Sequence, residues 1–320
     1  ICTKGYPSAL RSMVPNIVTA TVEVYQTLVE KLKPTPEKSH YTFNLRDVSK
    51  VFQGIAMANP ARIQDSTKLI RLWVHETFRA LADRFVDQND ENWFVGVLGE
   101  VMQSQFKVSY KSVVPDENVL IADFMNDQRL YEEVDDMKSA RAALEEQLDY
   151  YNQNVRGGQM DLVIFNYVIE HVARICRIIK QPFGSALLIG VGGSGRTSCT
   201  KLATKIEEYD YITVTMSKDY KRTDFLDDVK NVLMKAGKDG IPLAFTLADT
   251  QITDEAFIED ICNLLNTGEV PGLLAVDDLD TVTAALKNTA KEMGREISRD
   301  GLVSLFVERC RINMHIVLCF

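Results

Sequence analysis

The nine residues Gly190-Val-Gly-Gly-Ser-Gly-Arg-Thr-Ser198 constrain this chain more than any other stretch. They follow the apolar run Ala186-Leu-Leu-Ile189 and lead into a helical pattern, so the order is strand, glycine-rich turn, helix. Glycines let a backbone curl until successive N–H groups point inward, and a helix N-terminus adds positive partial charge. Gly190, Gly192, Gly193 and Gly195 meet that need, with Ser194 inside the loop. In the phosphate-loop pattern G-x-x-x-x-G-K-[ST], a Lys reaches the β- and γ-phosphates and a hydroxyl binds Mg²⁺. Here Arg196 stands at the Lys position, Thr197 at the hydroxyl position and Ser198 directly after. Arg keeps the charge but replaces a compact ammonium with a planar fork, so the loop supports nucleotide binding without guaranteeing catalysis.

The same residues satisfy G-x-G-x-x-G, the dinucleotide fingerprint. That fold wants an acid closing its second strand to hold the ribose hydroxyls. The next strand-like run, Tyr211-Ile-Thr-Val-Thr-Met216, is followed instead by Ser217 and Lys218. A merely tight strand-to-helix turn is the third reading, and the strand-turn-helix context favours the nucleotide loop over both alternatives.

A length of 320 residues suggests about two domains. The net charge of -9 argues against a general nucleic-acid or anionic-membrane binder, since either would want a basic surface. The six cysteines show no C-x-x-C spacing and the four histidines no H-x-x-x-H, so reduced thiols in an intracellular protein are expected rather than a metal or disulfide framework. No signal peptide or apolar stretch of transmembrane length is evident, which predicts a soluble chain. Ile1 and the apolar run His315–Phe320 at the other end suggest a piece of something larger.

From about Arg11 to Phe106 the pattern is helical throughout, a small all-helical unit. Val14, Ile17, Val18, Val22, Tyr25, Leu28 and Leu32 recur at helical spacing before Pro34 and Pro36 break the run. Further helices start at Asn44, at Asp65 and after Asn89-Asp-Glu-Asn92. Phe106–Tyr110 and Val119–Ala122 read as short β-like runs, followed by a charged helix from Val134 to Tyr151 that the turn Gly157-Gly158 ends. A helix from Asp161 to Lys180 would pack Phe165, Val168, Ile169, Val172, Ile175, Cys176 and Ile179 on one side, leaving His171 and Arg174 solvated. After the loop a β-α rhythm predicts a three-layer α/β fold with a parallel sheet. Its strands would be Ala186–Gly190, Tyr211–Met216, Leu243–Ala248 and His315–Phe320, with the ligand at their carboxyl ends.

A phosphate-loop hydrolase needs a second strand ending in an acid that holds Mg²⁺, commonly followed by a Glu that activates water. Pro242-Leu-Ala-Phe-Thr-Leu-Ala-Asp249 suits that strand, which makes Asp249 the candidate magnesium ligand beside Thr197. A structural Asp capping the following turn is the alternative. Thr250 stands where an ATPase would place Glu, and an alcohol of ordinary pKa cannot take a proton as a carboxylate does. Binding of ATP or ADP with slow hydrolysis or none is expected, and no catalytic residue is assigned.

Several segments together resemble the dynein heavy chain, a ring of AAA+ modules. They are His40–Ile55, the glycine loop, Met216-Ser-Lys-Asp-Tyr220, Asp249-Thr-Gln-Ile252, Leu265-Asn-Thr-Gly-Glu-Val-Pro271 and Phe306–Cys319. Their order and spacing agree over nearly the whole chain. The Arg-bearing loop and Asp-Thr-Gln resemble the fourth module of the axonemal type, where the cytoplasmic form would have Lys and Asp-Glu. The resemblance implies a helical lid of the third module over residues 1–106 and an incomplete α/β subdomain of the fourth over 107–320. It implies that Arg46 is a sensor toward the third module's nucleotide, the alternative being a surface Arg paired with Asp47. It also implies that the Asp161–Ile164 segment, with Leu162 and Val163, lies against the adenine. For the parent it implies an ATP-driven, minus-end-directed microtubule motor that bends cilia and flagella. Its expected partners are the rest of the ring, microtubules and the intermediate and light chains, and its expected place is the axoneme and cytoskeleton. The fourth site would be regulatory. A free-standing AAA+ remodelling ATPase and a structural module with an empty loop remain the alternatives.

Overall fold

The computed structural model describes residues 5–115, 119–126, 128–154 and 158–320. It divides into two compact units between Ala140 and Arg141.

The first unit is helical. Its elements are α1 (Ser8–Arg11), α2 (Val14–Lys31), α3 (Leu45–Met57), α4 (Ser66–Thr77) and α5 (Gln88–Gln105), with α4 running on as a π-helical turn, Phe78–Ala82. The starts follow from side chains that take up free helix N–H groups. Asn44 Oδ1 accepts from Arg46 N at 2.8 Å while Asp47 Oδ2 accepts from Asn44 N at 3.0 Å, a reciprocal cap. Asp65 and Asp87 cap α4 and α5 from Lys68 N and Asp90 N. Along α2 the buried residues Ile17, Ala20, Thr21, Val24 and Leu28 form one stripe. That stripe meets Trp73, which is completely buried and donates its Nε1–H to Thr21 Oγ1 at 2.9 Å. Thr21 in turn donates to Ile17 O, so the ring is buried without an orphaned donor.

The expected strand at Phe106–Tyr110 does not form. Phe106 ends α5, Lys107 takes a left-handed φ of 60°, and Ser109 caps the short helix α6 (Tyr110–Val113). Local capping outweighs a weak alternation in so short a run. The second run does form a strand: β1 (Ile121–Ala122) pairs antiparallel with β2 (Glu132–Glu133). Val113, Val114, Ile121 and Tyr131 join the core of the helical unit. Helix α7 (Met137–Asn154) starts later than Val134, because the Asp136 carboxylate takes up the N–H groups of Lys138 and Ser139. Gly157, in the turn expected to end it, lies outside the described residues, as does Cys2.

In the second unit α8 spans Asn166–Lys180 rather than starting at Asp161. Residues 158–165 are irregular, with the backbone N–H and C=O of Met160 both held by the Asn152 amide. Phe165 sits at the helix start half exposed and not in the core, whereas Val168, Ile169, Val172, Ile175, Cys176 and Ile179 are buried as the periodicity requires. His171 and Arg174 are half buried and within 3.5 Å of each other, and Arg174 also reaches Glu170, so neither is simply solvated.

The sheet comprises β3 (Ala186–Leu188), β4 (Asp210–Thr213), β5 (Leu243–Ala248) and β6 (Met314–Cys319), all parallel and ordered β3-β6-β5-β4. Their crossovers contain α9 (Arg196–Ile206), α10 (Arg222–Leu233), α11 (Glu255–Thr267), α12 (Val276–Glu292) and α13 (Arg299–Asn313). A π-helical turn, Met234–Asp239, extends α10. Strand residues alternate between faces: Leu243, Phe245, Leu247, Met314 and Ile316 pack with residues of α10 to α13, while Cys319 meets Thr200 of α9 on the other side. Helices thus cover both faces, giving the expected three layers. Among the described residues β3 pairs on one side only, and Leu187 and Ile189 are 55% and 79% exposed. No helix among the described residues is long and apolar enough to cross a membrane.

Candidate nucleotide site

Strand register fixes where the two site segments emerge. Leu188 and Ala248 both lie abreast of Cys319, on either side of β6. The glycine loop and the Asp249 turn therefore leave the sheet together at its carboxyl edge, where open parallel sheets bind ligands. The ladder carries on into the loop: Phe320 N donates to Leu188 O at 2.8 Å, and Gly190 N donates to Phe320 O at 2.9 Å.

Gly193 and Gly195 take φ of 82° and 83°, a left-handed conformation that L side chains avoid. A Cβ added at Gly192 or Gly193 would meet nothing within 4 Å, so the backbone there is open to a ligand. Gly195 precedes the first turn of α9, whose N-terminus faces the loop. Arg196 heads that helix. Its Nη2 donates to Val191 O at 3.2 Å, folding the side chain back over the loop, while its Nη1 is buried with no hydrogen-bond partner. A buried guanidinium nitrogen without an acceptor, inside an open glycine cradle, fits a phosphate oxygen.

The Cys319 thiol marks the junction between the segments. Burial pushes its pKa up, the Thr200 and Thr197 hydroxyls oppose that, and Arg196 and Asp249 act on it from nearby with opposite sign. It remains a protonated thiol at neutral pH, a filler rather than a nucleophile. Because Thr197 and Asp249 both act on this one group, the two candidate metal ligands come to the same end of β6. Asp249 is exposed, with Oδ1 accepting from Thr250 N at 2.8 Å. Thr250 is exposed too, and no carboxylate follows Asp249 in the turn. Ser194 is exposed, with its hydroxyl 3.1 Å from where a Cβ on Gly190 would lie, and Ser198 is half buried in the first turn of α9. Leu162 reaches the loop, its Cδ1 3.8 Å from where a Cβ on Gly195 would lie, and neighbouring Val163 is 74% exposed.

Arg46 lies on α3 in the helical unit with its side chain exposed. Its suggested pairing with Asp47 is not made. Asp47 is buried and holds Arg84 Nη2 at 2.8 Å together with the Asn44 N–H. An inward carboxylate is satisfied by a cation from the facing helix turn, not by its outward neighbour in sequence.

A family model described as P-loop containing dynein motor region D4 matches residues 160–320, just over half of the chain. The chain belongs to the dynein motor-region family. An AAA+ lid domain model matches residues 17–114. Among curated dyneins the chain is similar to dynein axonemal heavy chain 1 of Homo sapiens, at 42% identity over 95% of this chain and 7% of that protein. Dynein axonemal heavy chain 2 of Mus musculus is 40% identical over 95% of this chain and 7% of its own length. The dynein-1-beta heavy chain of the flagellar inner arm I1 complex of Chlamydomonas reinhardtii is 38% identical over 95% and 7%. This stretch thus spans about 7% of the length of these dynein heavy chains.

Three residues that the sequence leaves without a role lie against the two segments: Val191, whose carbonyl holds Arg196; Cys319, between the segments; and Gln251, which closes the Asp249 turn. Only Gln251 left a signal, its place two residues after the acid.

Proposed function

We propose that this chain is part of an axonemal dynein heavy chain and that its α/β unit is a regulatory nucleotide site. In this reading residues 1–106 are the lid of the third AAA+ module and 107–320 most of the large subdomain of the fourth. The lid carries Arg46 as a sensor toward the third module's nucleotide. The site takes ATP or ADP on Gly190, Gly192, Gly193, Ser194, Gly195, Arg196, Thr197 and Ser198, with Leu162 and Val163 toward the base. Thr197 and Asp249 hold Mg²⁺, which when bound would neutralise phosphate charge. The observation that carries the regulatory reading is the exposed Asp249-Thr250 turn, where an alcohol stands directly after the acid in place of a carboxylate. Occupancy would bias how neighbouring modules pack rather than drive the main cycle. The names of the relatives, axonemal and flagellar dynein heavy chains, support the axonemal setting; in this reading the parent is an ATP-driven, minus-end-directed microtubule motor of a cilium or flagellum, assembled with intermediate and light chains.

The test is magnesium-dependent nucleotide binding and turnover at this site in the full heavy chain, with Arg196→Ala and Thr250→Glu beside the parent. Tight binding without turnover, weakened in Arg196→Ala, is the expected result. Vigorous turnover by the parent site would overturn the regulatory reading. Absence of binding in every variant would favour a structural module, with Arg196 permanently folded onto Val191.

A further inference from the structure

The ladder between β4 and β5 stops at the pair Thr213 and Thr246. Beyond it β4 offers the Val214 carbonyl and β5 offers the Ala248 N–H, and neither has a strand partner across the gap. The Gln251 side chain fills that place. Its Oε1 accepts from Ala248 N at 2.8 Å and its Nε2 donates to Val214 O at 2.6 Å, with Thr213 Oγ1 3.1 Å from the same Nε2. A carboxamide carries the same donor and acceptor as a peptide group, so Gln251 acts as one more rung of the sheet. The rung closes the tight turn Asp249–Gln251, a single 3-10 turn whose first residue is the candidate metal ligand.

We propose that Gln251 is the positioning residue of the magnesium site: by tying the Asp249 turn to the end of β4, it fixes the direction in which the Asp249 carboxylate faces the loop. This rests on the nucleotide reading given above. Without the rung Asp249 would hang from β5 alone, and a ligand whose orienting partner is removed loses affinity for its metal. The chemistry of the side chain sets the specificity. In Gln251→Glu the acceptor toward Ala248 N survives, but an anionic oxygen replaces the donor and faces the Val214 carbonyl. In Gln251→Ala both links are lost.

The experiment measures binding of a fluorescent ATP analogue to the full heavy chain carrying nucleotide-blocking substitutions at its other sites, with excess Mg²⁺ and with chelator. Alongside runs hydrogen exchange at the Ala248 amide in the nucleotide-free protein. In the parent Mg²⁺ should tighten binding. In Gln251→Ala and Gln251→Glu that gain should fall about tenfold or more, the size of effect typical of residues that orient metal ligands, while affinity in chelator stays near the parent value. Ala248 should lose protection in Gln251→Ala. Thr213→Val, which touches only the outer hydroxyl, should produce a smaller loss and carries the test if the Gln251 variants fail to fold. An undiminished magnesium gain overturns the positioning role, as does equal loss of binding with and without the metal, which would mark Gln251 as purely structural. A parent that binds no nucleotide at all fails the site reading itself, a result distinct from either.

Discussion

Arg196 concentrates what is unusual about the site. One guanidinium nitrogen is spent on the Val191 carbonyl and another is buried without a partner, so the group is held over the loop yet still short of an acceptor. Hydrogen bonds to a charged group contribute about 1.5–3 kcal/mol, so Arg196→Ala should weaken nucleotide binding roughly tenfold to a hundredfold by calorimetric titration. Thr250→Glu restores a proton acceptor, and turnover at this site should rise by about two orders of magnitude, measured as phosphate release. His315 is a different kind of test. It is buried on β6, its Nδ1 donates to Gly184 O at 2.8 Å, and burial lowers its pKa from 6.5. The unfolded chain therefore takes up the proton first as pH falls. Stability is whole above about 6.5 and declines as acidification approaches the lower folded value. The loss of melting temperature between neutral and mildly acidic pH should shrink in His315→Gln. The glycine turn, Arg196 and Asp249 can be nominated from the sequence because their residue types and order are local. The Val191–Arg196 hydrogen bond, the place of Cys319 between the two segments and the Gln251 bridge cannot be, because each depends on a loop's curl or on the register of strands far apart in the chain.

At the level of elements, periodicity and caps read well and short runs read poorly. Asn44 and Asp65 announce their helices because a side-chain oxygen next to free N–H groups is a local event. Phe106–Tyr110 reads as a strand, but among the described residues no strand faces it, and Ser109 starts a helix instead. Residues 161–165 looked helical because their apolar spacing continues that of α8, yet the Asn152 amide holds Met160 outside a helix and Phe165 is left half exposed. The buried join of Trp73 and Thr21 ties α4 to α2 and should dominate the stability of the helical unit. Truncating a buried aromatic leaves a cavity and costs about 3–5 kcal/mol, so Trp73→Ala should sharply lower the unfolding midpoint in denaturant, while Thr21→Val should cost about 1–3 kcal/mol by orphaning the indole N–H.

For the chain as a whole, the expectation of two parts rests on a helical pattern first and a strand-helix rhythm after the glycine loop, while the structure divides between Ala140 and Arg141. Sheet order was less accessible. A β-α rhythm states that strands are parallel, but which lie side by side depends on burial: β5 and β6, almost continuously apolar, take the interior, while the shorter β3 and β4 take the flanks. That arrangement has a practical corollary for anyone handling this stretch in isolation. A flank strand that among the described residues pairs on one side only, with Leu187 on it and Ile189 just past it turned to solvent, is a template on which another chain's strand can grow. Light scattering of the isolated stretch should reveal concentration-dependent clustering, and Leu187→Lys, placing a charge on that rim, should suppress it while leaving nucleotide affinity intact. The strand that presents the phosphate loop would thus also be the seam along which stray copies stick.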